Sequence, residues 1–321
     1  MGSNPTLSAR LILAGGLVWL GLALILGPGF IPGTVQSAHA QSQGQALRLG
    51  VGQSAEEKIL GHLTALVLKS KKLAVDMSPD LDPQVLRQRL IGDEIDLCWE
   101  YTGRALIVFQ RNPDRGILVR PLDCYQEVKR ADQAQGLTWG TMAPANNTYG
   151  LLMAAERADK LKIKTISDLA AQAKASEKKL KLGLETAFRN RPDGYPALAV
   201  LYGFEAEAIS LVDLRDYEIF RALQEGRIDA AVGPVIDGRI ILFELRPLIE
   251  DRPFFPAYNP APLWRQDAAQ EHPQAFSLIN HLASALDTAA LTRIRYLVEV
   301  NHRSPAQAAQ EWFETSGLAS D

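Results

Sequence analysis

The stretch ALRLGVGQSAEEKILGHLTALVLKSKK, residues 46–72, sets two elements of different period back to back. ALRLGVG (46–52) reads as a strand that runs into glycine. SAEEKILGHLTALVLKSKK (54–72) spaces its apolar residues as a helix does, with Ser54 as N-cap and Glu56 and Glu57 in the first turn. A strand feeding directly into a helix is the building unit of an α/β sheet.

The same alternation continues outward from this stretch. A strand near Leu73–Met77 precedes a helix over PQVLRQRLIGD; EIDLCWE reads as a strand and GRALIVFQ as a helix start. CYQEVKRADQAQ is helical and LTWGTM extended. YGLLMAAE then opens a second block of the same style. It runs through TISDLAAQAKA (helix, capped by Thr165 or Ser167), KLKLGLET (strand), PALAVLYGF (helix), AISLVDL (strand), YEIFRALQEG (helix) and RIDAAVGPV (strand). Two such blocks imply two α/β lobes built on parallel sheets with helix-covered faces. In open sheets of this kind ligands sit at the carboxyl ends of the strands.

The chain has 321 residues, 47% hydrophobic and 22% charged, which is a globular composition. Its net charge is −3 with no clustered basic face, which argues against nucleic acid. At the N-terminus, Arg10 precedes the apolar run Leu11–Leu26 and helix breakers at Gly27, Pro28, Gly29, Pro32 and Gly33. Ala38-His-Ala40 then offers small residues on both sides of His39. This is the three-part pattern of a secretory signal peptide spanning 1–40, cleaved after Ala40, and the product is expected in the periplasm. Such a compartment permits a bridge between Cys98 and Cys124, though an apolar strand also suits a buried free thiol.

Nothing in the chain assembles a reaction. There is no G-x-S-x-G elbow, P-loop or G-x-G-x-x-G. His62, His272, His281 and His302 lack a cysteine or carboxylate at metal-ligand spacing, so no catalytic set, metal or cofactor is expected. Aromatic residues are the better lead. Tyr101, Tyr149, Phe220 and Tyr258 each stand at or just beyond the end of a regular element, the last within RPFFPAYNPAP (252–262). Aromatic faces attract cations, above all quaternary ammonium groups that cannot donate hydrogen bonds. An arginine nearby would add a paired N–H fork for a carboxylate.

An ordered set of motifs sharpens this: GDEIDL (92–97), EYTG (100–103), PANNTY (144–149), RPDG (191–194), DGRI (237–240) and FFPAYN (254–259). With KTISDLA (164–170) and RSPAQAAQEW (303–312), the chain resembles the osmoprotectant-binding proteins of ABC importers over roughly residues 46–315. These receptors capture glycine betaine, choline and related compounds and deliver them to a permease in the inner membrane. The resemblance implies a type II periplasmic-binding-protein fold, two α/β lobes joined by two crossovers with the ligand cleft between them. Lobe one would hold 46–144 and 256–321, and lobe two 145–255, with crossovers near Met142–Asn146 and Phe254–Tyr258.

The resemblance further implies a monomer with an aromatic box of Tyr101, Tyr149, Phe220 and Tyr258 around a trimethylammonium group. Phe220 stands where the family usually has tyrosine, and Tyr217 is an alternative wall. Arg191 matches a carboxylate-binding arginine, and Thr102, Asn146, Asn147 and Thr148 are polar contacts. Phe254 and Phe255 read as packing. The family often carries Lys or Gln near residue 52, where this chain has Gly52, or Gln53 after a one-residue shift. A receptor for choline alone, an amino acid or a polyamine is the alternative, as is a ligand-sensing partner of a membrane receptor. The motif positions offer few acids for a polyamine.

Overall fold

The computed structural model describes residues 46–318, apart from the side chain of Asp216. The signal-peptide segment lies outside these residues. Ten strands follow in chain order: β1 (Leu47–Gly52), β2 (Val75–Leu81), β3 (Leu97–Tyr101), β4 (Leu137–Trp139), β5 (Tyr149–Ala154), β6 (Leu180–Leu184), β7 (Ile209–Asp213), β8 (Ala230–Pro234), β9 (Leu245–Pro247) and β10 (Pro260–Arg265). They form two five-stranded sheets, ordered β2-β1-β3-β10-β4 and β7-β6-β8-β5-β9. Each sheet carries its own apolar core, the first under helices Ala55–Ser70 and Pro273–Ala285, the second around helices Ile166–Ala175 and Tyr195–Tyr202.

The sheets are mixed, which corrects the all-parallel expectation. β1 runs parallel to β2 and β3, but β10 is antiparallel to β3 and β4; in the second sheet β5 is antiparallel to β8 and β9. The reason is topological. The chain leaves one sheet and re-enters it from the other, so the returning strand runs backward.

β10 has two prolines yet lies inside its sheet, between β3 and β4, where proline is normally excluded. In an antiparallel pair a residue's N–H and C=O point to the same side. The carbonyls of Pro260 and Pro262 accept from Ala143 and Gly140, beyond the end of β4. The missing N–H groups therefore fall on that side, past the β4 ladder, and β3 loses nothing.

Segments 140–148 and 248–259 connect the two sheets, and they are stitched together. Asn147 N–H donates to Tyr258 O at 3.1 Å, Tyr258 N–H to Asn146 Oδ1 at 2.7 Å, and Thr148 Oγ1 to Pro256 O at 2.6 Å. Asn259, only 3% exposed, donates from Nδ2 to the carbonyls of Ala143 and Ala145 at 3.2 and 2.8 Å. A second junction lies on the far side. Ile236 packs within the first lobe's core, and helix Thr288–Glu299 receives the turn after β8. There Gly238 N–H donates to Glu299 at 2.7 Å, and Arg295 donates to Ile236 O. A Cβ on Gly238 would lie 2.6 Å from the Tyr296 backbone, so only glycine allows this approach. Cys98 and Cys124 are both buried free thiols.

Asn259→Ala would strip the donors from two buried carbonyls at a cost of about 2–3 kcal/mol. We expect the unfolding midpoint to fall by roughly 5–10 °C in a calorimetric scan.

Candidate ligand site at the hinge

β3 ends at Tyr101 because its pairing with β10 stops at Pro260, and a short helix begins at Thr102. Thr102 N–H donates to Asn259 O at 3.1 Å, and its hydroxyl oxygen accepts from Asn259 N–H at 3.2 Å. The next residue must be small. A Cβ on Gly103 would meet Ala257 O at 2.4 Å and the Tyr258 ring at 2.9 Å. The Tyr258 ring therefore lies against the Thr102–Gly103 turn. Tyr101, Thr102, Asn147 and Tyr258 are brought together where both crossovers meet the first sheet.

Beneath them lies an ionic cluster that the sequence did not announce as a site. Tyr101 donates its phenol proton to Glu56 Oε1 at 2.6 Å. Glu56 is 3% exposed at the start of helix Ala55–Ser70. Its neighbour Glu57 closes a capping box with Ser54 and accepts from Arg104 at 2.9 Å. Arg104 also donates to Glu100 at 2.6 Å and lies over the Tyr101 ring, 5.0 Å from its centroid. Burial pushes the carboxyl groups of Glu56 and Glu100 above the usual carboxylate range, against the pull of Tyr101 on Glu56 and of Arg104 on Glu100. Burial likewise raises the phenols of Tyr101 and Tyr258. Three carboxylates are thus buried around Tyr101 and Arg104, of which only Glu100 lies in one of the motifs.

Gly52 belongs to this cluster. A Cβ at that position would fall 2.3 Å from the Glu57 carboxyl carbon. The space beside residue 52 is already filled by an acid held by Ser54 and Arg104. Gln53 is exposed at the rim and donates to Asp80 O at 3.2 Å.

The second lobe contributes differently. Tyr149 opens β5 two residues beyond Asn147 and is 41% exposed. Arg191 is exposed and gives its fork to Asp193, at 3.0 and 2.6 Å. Asp193 also meets the first lobe, its carbonyl accepting from Arg115 at 3.4 Å. Phe220 is the clear correction. It is fully buried in the second lobe's core, and Arg239 covers its ring at 4.1 Å. The same helix exposes Tyr217, at 59%. Phe254 and Phe255 are buried packing residues in edge-to-face contact at 5.0 Å.

Among the described residues, no group of three or more His, Cys, Asp or Glu could hold a metal, and no helix is long and apolar enough to cross a membrane. The family model for the substrate-binding domain of ABC-type glycine betaine transport systems matches residues 45–315. The chain belongs to that family. A glycine-betaine-binding protein of Pseudomonas aeruginosa is 29% identical over 290 residues, covering 88% of this chain and 92% of the relative. The ergothioneine transport permease/ergothioneine binding protein EgtU of Helicobacter pylori is 27% identical, with 83% of this chain matching 46% of that longer protein. Among solved structures, apo YehZ from Escherichia coli superposes with a TM-score of 0.78 at 24% identity, covering 85% of this chain and 99% of the other. The fold is that of the type II binding proteins, and the family is one of transport receptors.

Arg104→Met would leave Glu57 and Glu100 without their guanidinium, at a cost of about 3–5 kcal/mol. Because the Glu100 carboxyl titrates above its unfolded value, the cost belongs to its ionised form, and protonation relieves it. In urea unfolding, the deficit relative to the parent should be largest near about pH 8 and shrink as pH falls toward about 5.

Proposed function

We propose that this protein captures glycine betaine or a related quaternary ammonium osmoprotectant and hands it to an ABC permease of the inner membrane. The carrying observation is the hinge cluster itself. Two tyrosines, Tyr101 and Tyr258, stand at the junction of both crossovers, beside a buried acid, Glu56, that accepts from the Tyr101 phenol and two more, Glu57 and Glu100, that pair with Arg104. With Arg104 on one face of the Tyr101 ring, its other face and that of Tyr258 suit a cation with no hydrogen to donate. Tyr149, on the second lobe, supplies the opposing wall, with Thr102, Asn147 and Gln53 as polar neighbours. Arg191 would take a ligand carboxylate by exchanging Asp193 for it.

Capture follows from lobe closure. A ligand favours the closed form only through contacts it makes better there. Tyr101 and Tyr258 move with the first lobe or the hinge, and Tyr149 and Arg191 with the second. The dividing points we propose, near 144 and 256, fall inside the stitched crossovers. The mature protein is a periplasmic monomer released after Ala40, working without catalysis or cofactor.

One observation favours choline over a betaine as the better ligand. The place beside residue 52 is filled by the Glu57 carboxyl, and the Arg191 fork is engaged with Asp193. A ligand carboxylate thus finds no donor side chain at residue 52 and a competitor at Arg191. Titration calorimetry with glycine betaine and with choline decides between them; silence with both would overturn the proposal.

Tyr149→Ala removes an exposed ring and should leave stability within about 0.5 kcal/mol. It should weaken quaternary ammonium binding by roughly tenfold, the scale of one cation–π contact of about 1–2 kcal/mol. Unchanged affinity would remove Tyr149 from the site.

A further inference from the structure

The resemblance described above gave the Glu56 side chain no role. It is the second residue of helix Ala55–Ser70, where capping is already completed by Ser54 and Glu57. An ordinary first-turn acid sits in water and complements the helix dipole. Glu56 is instead buried, and one oxygen is spent on the Tyr101 phenol. The other, Oε2, is buried without a well-formed hydrogen bond, the Asn147 side chain being the donor nearest the carboxyl. A buried carboxylate left half satisfied is costly, so it needs a reason to be there.

We propose that Glu56 is the positioning residue of the cation site: through the phenol it fixes the Tyr101 ring and, as an ion, makes that ring a stronger partner for a quaternary ammonium group. This rests on the cage reading above. A phenol that donates to a carboxylate shifts electron density into its ring, and the ring's negative face deepens. Glu56 also supplies the negative charge that a fixed cation lacks in a dry cleft, where charges interact more strongly than in water.

The groups around Glu56 come from four elements. Glu57 lies beside it on its own helix, linked through Arg104 to Glu100. Tyr101 reaches it from the end of β3. Arg295, on helix Thr288–Glu299, and Asn147, in the first crossover, both favour its charged form, while Glu57 opposes it. Burial outweighs these, so the carboxyl protonates at higher pH than a free glutamate. Protonation removes the counter-charge, and affinity for a fixed cation should therefore fall as pH falls.

The test uses protein expressed from its full sequence, titrated with choline and with glycine betaine. Choline carries a charge that does not change with pH, so its pH profile reports the protein alone. Glu56→Gln keeps an acceptor for the Tyr101 phenol and removes the charge. We expect it to weaken choline binding about tenfold near pH 8. We also expect it to flatten the profile that the parent shows between about pH 8 and 5. Tyr101→Phe cuts the link while keeping the ring, and adding E56Q to Y101F should then cost clearly less affinity than E56Q costs in the parent, because only the direct charge is left to lose. Additive losses in the double variant would overturn the coupling. Equal affinity of parent and E56Q across the range would overturn the inference and leave the cage intact. Absence of binding of either compound to the parent would overturn the cage and this inference together. Should E56Q fail to fold, the parent's own profile decides: choline affinity that is flat between those pH values overturns the proposal.

Discussion

One buried amide governs the geometry of this molecule. Asn259 spends both side-chain hydrogens on the carbonyls of Ala143 and Ala145, and its backbone N–H and C=O on Thr102. Three segments distant in sequence are thereby fixed to one point: the first crossover, the second crossover and the end of β3. No apolar side chain could do this, because the groups to be satisfied are backbone carbonyls that leave their own sheets there. That point is a node to which Tyr101, Tyr258 and Asn147 are tied by backbone hydrogen bonds of their own or of the residue next to them. The residues free to alter their distance from the node are those farther along the second lobe, Tyr149 and Arg191 among them.

The alternation of strand and helix was legible from residue 46 onward, because period and capping are local properties. Thr165, rather than Ser167, caps its helix with a full capping box, a choice the sequence left open. Strand β10 was not legible. Its prolines argue against a central strand, and only the early end of β4 makes them harmless. The mixed direction of each sheet was hidden for a related reason, since it depends on where the chain returns. Among candidate site residues, Tyr101, Thr102, Asn147 and Tyr258 meet at the node. Phe220 does not present a wall, because its helix turns that face into the core and offers Tyr217 to solvent. Glu56, Glu57 and Arg104 escaped notice because acids in a first turn look like ordinary dipole partners. A signal was available: Gly52 lies just before the capping Ser54, and a glycine at a strand end often marks something pressed against the backbone.

The chemistry of the site follows from where its charges were buried. A carboxylate in water is screened and contributes little to a nearby cation. The same carboxylate under a tyrosine, out of water, acts strongly but burdens the fold when nothing answers it. Arg104 answers Glu57 and Glu100 permanently, so those acids are structural. Glu56 is answered only in part, by a phenol and by more distant charge.

That asymmetry bears on how a two-lobed receptor avoids closing empty. Closure removes water from the cleft, which raises the cost of any charge there lacking a partner. Glu56 is already buried with the cleft empty, so its partly unmet charge burdens the fold before any ligand arrives. With a fixed cation in place, the same desolvation strengthens its attraction to Glu56 and to the Tyr101 face. On the cage proposed above, that carboxylate would be compensated only in the filled form, which is a differential affinity of the kind population shift requires. A neutral side chain at position 56 would spare the fold a buried charge and would also abolish that difference.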